Sequence, residues 1–487
     1  MTLSRPQPAA LASHRPLLET IANLAAQRGQ GVWLCGGTLR DLYLGIDPPD
    51  VDLAADGDAL ALGQEAANIT GARFVALKEA HATCRIVLEG RWVDLAGLRA
   101  QSLEEDLRAR DFTVNALAWD LGDFLKHGGQ VVDPCGGLAD LKAGVLKAAG
   151  PGVLRDDPLR VLRAFRFLAT HGLEPEPELV PRLRRAAPGL EGVARERIGH
   201  EWMIMAAGPQ AAQAIAGLEQ ANALGVLVPA LEAGRGVEQN PYHHLDVFGH
   251  SLETVRVFGA IAADPESFWG ALGKEVAIYL ARPLRRALAM TAALMHDLGK
   301  PLTLRQKAPG WATFYRHDLE GADLARAACR KLGLAKSEAG VVAHLVREHM
   351  RPFFLMGAAR QGGLTKRAVR RLLVAAGDHL PGLMTLALAD TMAGQGPERP
   401  PDAEDQLREL YAQIADLRDR ELAQALAAPP FINGNDLMEE LDLSSGPLLG
   451  RLLGKVREAQ LDGQIQDRDQ ALSLARRLLG DEFKGDA

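Results

Sequence analysis

The chain has 487 residues, of which 47% are hydrophobic and 24% charged, a composition typical of a soluble globular protein and not of a disordered or fibrous one. This length exceeds what one hydrophobic core supports, so three or four domains are expected. The formal net charge of −7, from 55 basic and 62 acidic residues, argues against bulk nucleic-acid binding but allows a local basic patch.

The N-terminus and the cysteines indicate the compartment. The first 16 residues contain no apolar signal core and no run of 18 apolar residues follows, so we predict a cytoplasmic protein without a membrane span. The four cysteines are scattered and form no C-x-x-C pair. This pattern predicts reduced structural thiols and argues against disulfides or a zinc site.

The first chemical signal lies between residues 32 and 55. A helix predicted over 16–30 leads into an apolar strand, 32–35, which ends at Gly36-Gly37. Two glycines allow a sharp turn and the close approach of a ligand. The short helix that then begins at Thr38 offers free N–H groups to an anion, and Arg40 could add a bidentate phosphate contact.

Two carboxylates follow this turn. Asp50 and Asp52 are two residues apart at a predicted strand and would point to the same face. Such a pair beside a phosphate-binding turn suits Mg2+, which prefers one or two carboxylates plus substrate phosphates. Two ions could activate an attacking hydroxyl and stabilise a leaving pyrophosphate. Solvated turn aspartates are the alternative, but the spacing and context together favour the metal site.

The next elements are a helix over 59–69 and short strands over 73–77, 83–88 and 91–95, with a hairpin turn at Glu89-Gly90. Asp94 in the last strand would lie near the carboxylate pair. It is either a third metal carboxylate or a partly exposed strand aspartate, and the sequence favours neither.

Polar residues interrupt the apolar block 106–118. Arg110, Asp111 and Asn115 could reach a sugar or a phosphate, although such a cluster is often a surface ion pair. Residues 133–141 follow, and their glycines predict a structural hinge that closes the first domain.

An all-helical region is predicted from residue 155. Asp157 and Arg160 are three apart and are expected on one helix face, either as a local ion pair or as a base reader. A carboxylate accepts from an exocyclic amine, and a guanidinium donates to a ring nitrogen or carbonyl oxygen. The segment to residue 197 is rich in arginine and is our predicted contact with RNA phosphates, through Arg163, Arg166, Arg182, Arg184, Arg185 and Arg195.

A second chemical centre is predicted downstream. Several histidines and aspartates lie within predicted apolar helices. A single such histidine would usually be an ordinary core residue, but this combination is better explained by a site for manganese, nickel, iron or zinc. The residues are His250, His296, Asp297 and Asp390, with His317 and His349 nearby. Residues 396–401 predict a linker, and residues 402–487 are helical by pattern without a catalytic cluster.

The motifs resemble the nucleotidyltransferases of the DNA polymerase beta superfamily, and more closely the class II tRNA nucleotidyltransferase and bacterial poly(A) polymerase family. The similar motifs are GG-x-x-RD at 36–41, D-x-D at 50–52, R-R-D-F-T-x-N-A at 109–116 and E-D-x-x-R at 156–160. Two positions depart from the family: Ala109 replaces the first arginine, and Asp156 replaces glutamate.

The resemblance implies an elongated multidomain protein: an α/β nucleotidyltransferase head followed by an all-α neck, body, HD domain and tail. The expected boundaries are 1–148 for the head, 149–236 for the neck and body, 237–395 for the HD domain and 402–487 for an RNA-binding tail.

The family transfers CMP or AMP from CTP or ATP to the 3′ hydroxyl of tRNA. By resemblance, Asp50 and Asp52, with Asp94 as a third candidate, would form the magnesium-dependent catalytic site. The turn Gly36-Gly37 and Arg40 would hold the triphosphate, and Asp157 with Arg160 would choose the base. The remaining nucleotide contacts would be Arg110, Asp111 (to the ribose), Asn115 and Arg163.

The second centre resembles an HD-superfamily phosphohydrolase. His250, His296, Asp297 and Asp390 match its H…HD…D motif. His317 and His349 match positions that hold a second metal in some members. The resemblance implies a transition metal such as Mn2+ or Ni2+ and hydrolysis of a phosphate ester, for example at an RNA 3′ end.

One departure indicates the subtype. In CCA-adding members a flexible loop joins the last head strand to the R-R-D-F-T block, whereas here Leu98 runs almost directly into Asp106. CC-adding members share this shortening. We therefore predict a CC-adding enzyme that acts on the tRNA 3′ end and needs a separate A-adding enzyme. The rivals are a full CCA-adding enzyme or poly(A) polymerase that also uses ATP, and an HD hydrolase whose head only binds RNA.

Overall fold

The computed structural model describes residues 3–48, 50–78, 82–308, 311–422, 428–461 and 463–485. The chain divides into two compact units, Met1–Val228 and Pro229–Ala487. The finer four-domain division stays a prediction. Each unit contains one of the two predicted centres.

The first unit is built on a six-stranded mixed sheet in the order β3-β4-β5-β2-β1-β6. The strands are β1 Val32–Cys35, β2 Val51–Ala55, β3 Arg73–Lys78, β4 Thr83–Leu88, β5 Arg91–Gly97 and β6 Ala118–Asp120. Strands β2 and β5 are parallel, and the other neighbours are antiparallel. Glu89 and Gly90 both have positive φ, as a two-residue hairpin turn requires. The predicted strands are therefore confirmed.

Two helices, α1 Arg15–Arg28 and α3 Ala59–Thr70, supply the apolar cover of this sheet. Leu17, Ile21 and Leu24 recur at helical spacing on α1 and are buried against the strands. The other helices of this unit are α2 Gly37–Leu44, α4 Leu103–Arg108, α5 Leu121–Leu125, α6 Gly137–Ala143, α7 Val153–Asp156, α8 Leu159–His171, α9 Leu179–Ala186, α10 Arg195–Ala207, α11 Ala211–Gln220 and α12 Leu224–Leu227.

Helix α8 connects the sheet region to the helical part of the same unit. Its apolar face packs against α10 and α11, and a short parallel pair, β7 Val145–Leu146 with β8 Glu174–Pro175, flanks it. The stretch predicted as a hinge, residues 133–141, contains the start of α6, whose N–H groups at Gly137 and Leu138 donate to Asp133. A Cβ on Gly137 would lie 2.0 Å from the Thr113 carbonyl oxygen, so only glycine fits there.

Among its described residues, the second unit has one β-hairpin, β9 Arg305–Ala308 with β10 Trp311–Thr313, and its other regular elements are helices. Helices α13, α16 and α22 pack together and α19 packs on α16, so their apolar faces form the core around the second centre. The helices are α13 Val247–Ala263, α14 Pro265–Trp269, α15 Gly273–Leu280, α16 Pro283–Met295, α17 Lys300–Thr303, α18 His317–Lys331, α19 Lys336–Glu348, α20 Arg351–Arg360, α21 Lys366–Ala376, α22 Leu380–Ala393, α23 Ala403–Leu417, α24 Gly434–Leu441, α25 Pro447–Leu461 and α26 Arg468–Gly485.

The stretch Lys366–Ala393 is long and apolar enough for a membrane span, because it contains an 18-residue window with a mean hydropathy of 1.5, but 72% of that window is buried inside the protein. That burial is typical of a core helix. The predicted linker 396–401 is irregular but not detached, because the Gly396 N–H donates to the Tyr242 carbonyl at 2.9 Å. The predicted helical tail is confirmed over its described residues, and α24, α25 and α26 share a small apolar core.

Candidate functional site

The Gly-Gly turn and the carboxylate strand are joined by one side chain. Gly36, with φ of 63°, places Gly37 at the first position of α2. Thr38 in this helix is 2% exposed. Its hydroxyl accepts from the Asp52 N–H at 2.8 Å and donates to the Asp50 carbonyl at 3.4 Å. The N-terminal turn of α2 is thereby fixed beside the two carboxylates.

The parallel pairing of β2 and β5 sets Asp52 directly opposite Asp94. Asp50, Asp52 and Asp94 offer ligand atoms that all lie within 4.8 Å of one another. Burial, and then the charge of Asp50, raise the pKa of Asp52 to about 6. Crowded carboxylates of this kind favour a divalent cation, because it relieves their repulsion.

Arg85 is bound to the third carboxylate. Its Nε and Nη2 both donate to Asp94 at 2.7 Å, in a bidentate pair between β4 and β5. Both Asp94 oxygens are therefore engaged, whereas Asp50 and Asp52 have no such guanidinium partner among the described residues. Asp94 is thus near the pair, but a metal would have to compete with Arg85 for it.

Arg110 lies against the Gly-Gly turn. Its Nη2 donates to Cys35 Sγ at 3.2 Å and to Asp106 at 3.3 Å. A Cβ on Gly36 would lie 2.7 Å from Arg110 Nη1 and 3.7 Å from Asp52 Oδ2. Arg110 therefore adds a positive charge at the turn beside the carboxylates.

The other predicted nucleotide residues form one buried network. Arg40 Nη1 donates to Asn115 Oδ1 at 2.6 Å, and Asn115 Nδ2 donates to Asp111 Oδ1 at 2.9 Å. Asp111 Oδ2 accepts from Arg163 Nη2 at 2.6 Å, and Arg163 Nη1 donates to Glu201 at 2.8 Å. Burial alone would raise the pKa of Asp111, but the Arg163 charge and these hydrogen bonds hold it far below its usual range.

The prediction that Arg163 and Arg166 contact RNA phosphates is wrong for this structure. Arg166 Nε lies 2.5 Å from Glu201 and its side chain is only 12% exposed, so both guanidiniums are held inside the unit by Glu201. Arg182 and Arg184 donate to backbone carbonyls. Of the predicted set, the exposed members are Arg184, Arg185 and Arg195.

Asp157 and Arg160 do not share a helix face as predicted. Asp157 is extended, with φ of −145° and ψ of 98°, and lies outside α8. The reason is Pro158, since a proline disfavours the helical conformation of the preceding residue. Asp157 pairs with Arg197 at 2.7 Å, and Arg160 Nη1 donates to the Val153 carbonyl at 3.1 Å.

The connection from β5 to α4 is short and fixed at both ends. The Leu98 N–H donates to the Ala55 carbonyl at 3.0 Å, and the Arg99 N–H donates to Asp106 Oδ1 at 3.0 Å. Ser102 then caps α4 by accepting from the Glu105 N–H at 3.3 Å. Residues 98–102 are a tight connection and leave no room for a long loop.

In the second unit, the predicted ligands converge from five helices, α13, α16, α18, α19 and α22, or from the residues directly after them. His250 Nε2 lies 2.9 Å from Asp390 Oδ1, and His296 Nε2 lies 3.1 Å from Asp297 Oδ2. Both imidazoles also lie within 3.8 Å of the other carboxylate. All four are buried or nearly so, with side-chain exposure between 0% and 14%. These separations suit one ion between two nitrogens and two oxygens.

A second subsite shares one carboxylate with the first. Asp297 Oδ1 lies 3.5 Å from His317 Nε2, which lies 3.2 Å from His349 Nε2. Because the two oxygens of Asp297 face different imidazoles, Asp297 could bridge two ions. All six predicted residues are therefore brought together.

Hydrogen bonds fix the ring orientation of three of these histidines. Nδ1 of His296, His317 and His349 each bonds a backbone carbonyl three residues earlier, at 2.9, 2.8 and 2.5 Å. Nδ1 carries the proton in each case, so Nε2 is left as the ligand atom. Burial and the neighbouring His317 lower the pKa of His349 to about 3, which keeps it neutral. The residues present therefore fit a divalent metal.

Several residues that contact the two candidate sites were missed from the sequence. Lys300 Nζ lies 2.6 Å from Asp297 Oδ2, and its position three residues after Asp297 was an available signal. His243 lines a cavity of about 740 Å3 together with Asp297, Lys300 and Asp390. It lies within the segment with which the predicted HD domain begins. Thr38, Arg85 and Glu201 carried no signal, because their partners are 9 to 38 residues distant in sequence.

Comparison with known protein families agrees with both centres. A model of the poly(A) polymerase head domain matches residues 32–147, one of the HD domain matches residues 247–421, and one described as a putative tRNA nucleotidyltransferase domain 2 matches residues 419–475.

Two relatives match nearly the whole chain. An A-adding tRNA nucleotidyltransferase of Deinococcus radiodurans is 32% identical over 457 residues, covering 92% of this chain and 95% of the relative. A CC-adding tRNA nucleotidyltransferase of Thermus thermophilus is 33% identical over 447 residues, covering 90% and 91%. The fold is similar to a Thermotoga maritima CCA-adding enzyme complexed with tRNA, with a TM-score of 0.59 and 20% identity over 98% of this chain and 100% of that one.

The chain therefore belongs to the tRNA nucleotidyltransferase family of enzymes, with a poly(A) polymerase-type head and an HD domain.

Proposed function

We propose that this enzyme adds two cytidines to the 3′ end of tRNA and then stops. In each step the 3′ hydroxyl oxygen forms a bond to the α-phosphorus of CTP, and the bond to pyrophosphate breaks. The observation that carries the cytidine-only proposal is the tight connection over residues 98–102, which provides no long loop at this place to reshape the pocket for ATP.

The carboxylates support the chemical step. Asp50 and Asp52 would hold two Mg2+ ions, which supply charge stabilisation of the attacking and leaving oxygens when bound. Asp94, engaged by Arg85, would contribute as the third carboxylate. The N–H groups at the start of α2, with Arg110 beside them, would bind the triphosphate.

The buried network supports a positioning role for the rest of the motif. A chain of hydrogen bonds connects Arg40, Asn115, Asp111 and Arg163. These side chains are therefore fixed before a ligand binds and would form a rigid surface for a ribose and a triphosphate. Asp157 and Arg160 would read the cytosine edge from separate supports: Asp157 is held by Arg197, and Arg160 by a backbone carbonyl. Fixed supports suit a pocket with a single base preference.

The test is incorporation on a tRNA that lacks its 3′ CCA, resolved at single-nucleotide length. With CTP alone, and equally with CTP and ATP, the proposal predicts arrest after two cytidines. A further adenosine would refute the CC-adding proposal, and long adenosine tails from ATP alone would favour a poly(A) polymerase. Arrest would also mean that a separate A-adding enzyme completes the tRNA in the cytoplasm.

Basic side chains of the second unit are our candidates for tRNA phosphates. Arg351, Arg367, Arg370 and Arg371 line a cleft of about 480 Å3 together with Glu458. Glu458 pairs with Arg367 and Arg371, and Glu348 pairs with Arg351, so four guanidiniums are offset by two carboxylates. Such an excess of positive charge in an acidic protein suits a phosphate backbone. Charge reversal in this cleft is expected to weaken tRNA binding and to reduce its salt dependence, as measured by filter binding at several salt concentrations.

A second candidate function is phosphohydrolysis at the HD centre. The bridged arrangement of His250, His296, Asp297 and Asp390 with His317 and His349 supports it, and Lys300 would neutralise a substrate phosphate. A metal such as Mn2+ or Ni2+ would activate the attacking water. The test is release of phosphate from an RNA 3′ end by the wild type and by Asp297→Asn. Hydrolysis that survives this substitution would reject the proposed site.

A further inference from the structure

A seventh residue faces the HD cluster. His243 lies in the loop before α13, and its ring centroid is 4.7 Å from that of His250, with the rings nearly perpendicular at 84°. His243, His250 and Asp390 offer ligand atoms that all lie within 4.8 Å of one another. His243 also lines the cavity of about 740 Å3 together with Lys300.

The protonation of His243 follows from its partner. Asn240 Oδ1 accepts from the Tyr242 N–H at 3.2 Å, which identifies that atom as the amide oxygen. His243 Nδ1 lies 3.0 Å from the same oxygen and must donate to it. Nε2 therefore carries the lone pair, as in the three histidines whose Nδ1 bonds a carbonyl.

The loop that carries His243 is fixed to the segment after Asp390. The Gly396 N–H donates to the Tyr242 carbonyl at 2.9 Å, and the Glu398 N–H donates to the Pro241 carbonyl at 3.1 Å. A Cβ on Gly396 would lie 2.2 Å from the Pro241 oxygen, so the approach is close. This contact holds His243 in place relative to Asp390 without any help from a ligand.

Across the part of the chain that the structure describes, His243 forms a hydrogen bond through Nδ1 alone. Its other nitrogen belongs to a ring packed on His250, among groups that all suit a cation.

We propose that His243 is a further ligand of the ion held by His250, His296, Asp297 and Asp390, giving three imidazoles and two carboxylates. This nitrogen-rich set favours nickel, cobalt or zinc over magnesium. The proposal rests on metal binding at the HD centre but not on nucleotidyl transfer.

The test is Ni2+ binding by the full chain in an Asp50→Asn, Asp52→Asn background, which neutralises two of the three head carboxylates and leaves Asp94 paired with Arg85. Calorimetry should show at least a 10- to 100-fold weaker Kd for one site in His243→Ala. The matched control is His244→Ala, which removes the adjacent exposed histidine and should leave the Kd unchanged. Cobalt substitution should show a changed ligand-field band in His243→Ala only.

An unchanged Kd and spectrum in His243→Ala would overturn the proposal, as would the absence of Ni2+ binding in the wild type. A weaker Kd with an unchanged cobalt spectrum would also overturn it, because His243 would then act only by supporting the loop. If His243→Ala does not fold, His243→Gln keeps a polar side chain in the loop and is held to the same outcomes.

Discussion

The Thr38 hydroxyl links the Gly36-Gly37 turn to the backbone of Asp50 and Asp52. The substitution Thr38→Val therefore tests how the candidate catalytic site of the first unit is held together. Valine has nearly the same shape but leaves the Asp52 N–H without its acceptor. An unpaired buried donor costs about 1–3 kcal/mol. A unit of this size, Met1–Val228, loses about 2–4 °C in Tm for each kcal/mol of lost stability. The Tm of the first unit should therefore fall by roughly 2–12 °C.

The same change should slow CMP transfer. Misplacing reacting groups by about 1 Å can cost about 100-fold in rate, so we expect kcat to fall about 10- to 100-fold with a smaller change in the KM for CTP. Thr38→Ser keeps the hydroxyl and is the control. If Thr38→Val melts and reacts like the wild type while Thr38→Ser does too, the hydroxyl does not position Asp50 and Asp52.

Three further predictions follow from the electrostatics. Because the pKa of Asp52 is about 6, protons compete with Mg2+ for this carboxylate below pH 6. The Mg2+ concentration for half-maximal CMP transfer should therefore rise by up to about tenfold per pH unit below 6 and stay constant above it. A constant value down to pH 5 would contradict this prediction. Glu201→Gln removes the buried carboxylate that Arg163 and Arg166 share. The free energy of unfolding of the first unit, measured in urea, should fall by about 3–5 kcal/mol. An unchanged unfolding midpoint would show that the network is not needed for stability. Asp297→Asn should abolish metal binding at both HD subsites yet leave CMP transfer unchanged, as measured by calorimetry and incorporation; lost transfer would show that the two centres are coupled.

Five strands of the six-stranded sheet and the grouping of the six HD residues could be predicted because their signals are local or follow a known motif. Asp94 shows the limit. Its place beside Asp52 depends on the parallel pairing of β2 with β5. The alternation of hydrophobic and polar residues along each strand does not determine which strands are neighbours. The bidentate hold of Arg85 on Asp94 depends on register as well.

The errors have a common physical cause. Arg163 looked like a solvated RNA contact because its partners, Asp111 and Glu201, are 52 and 38 residues away. Helical spacing predicted a shared face for Asp157 and Arg160, but Pro158 removed Asp157 from the helix. In each case a tertiary contact or one backbone restriction decided against the local pattern.

The most direct test of the central claim is AMP transfer to a tRNA that already ends in two cytidines. Under single-turnover conditions with Mg2+ and ATP as the only nucleotide, we expect no extension. In a parallel control reaction with CTP in place of ATP, a tRNA that ends in one cytidine should accept CMP. AMP transfer at a rate close to that of CMP would contradict it, since the tight connection over residues 98–102 would then not prevent a change of base.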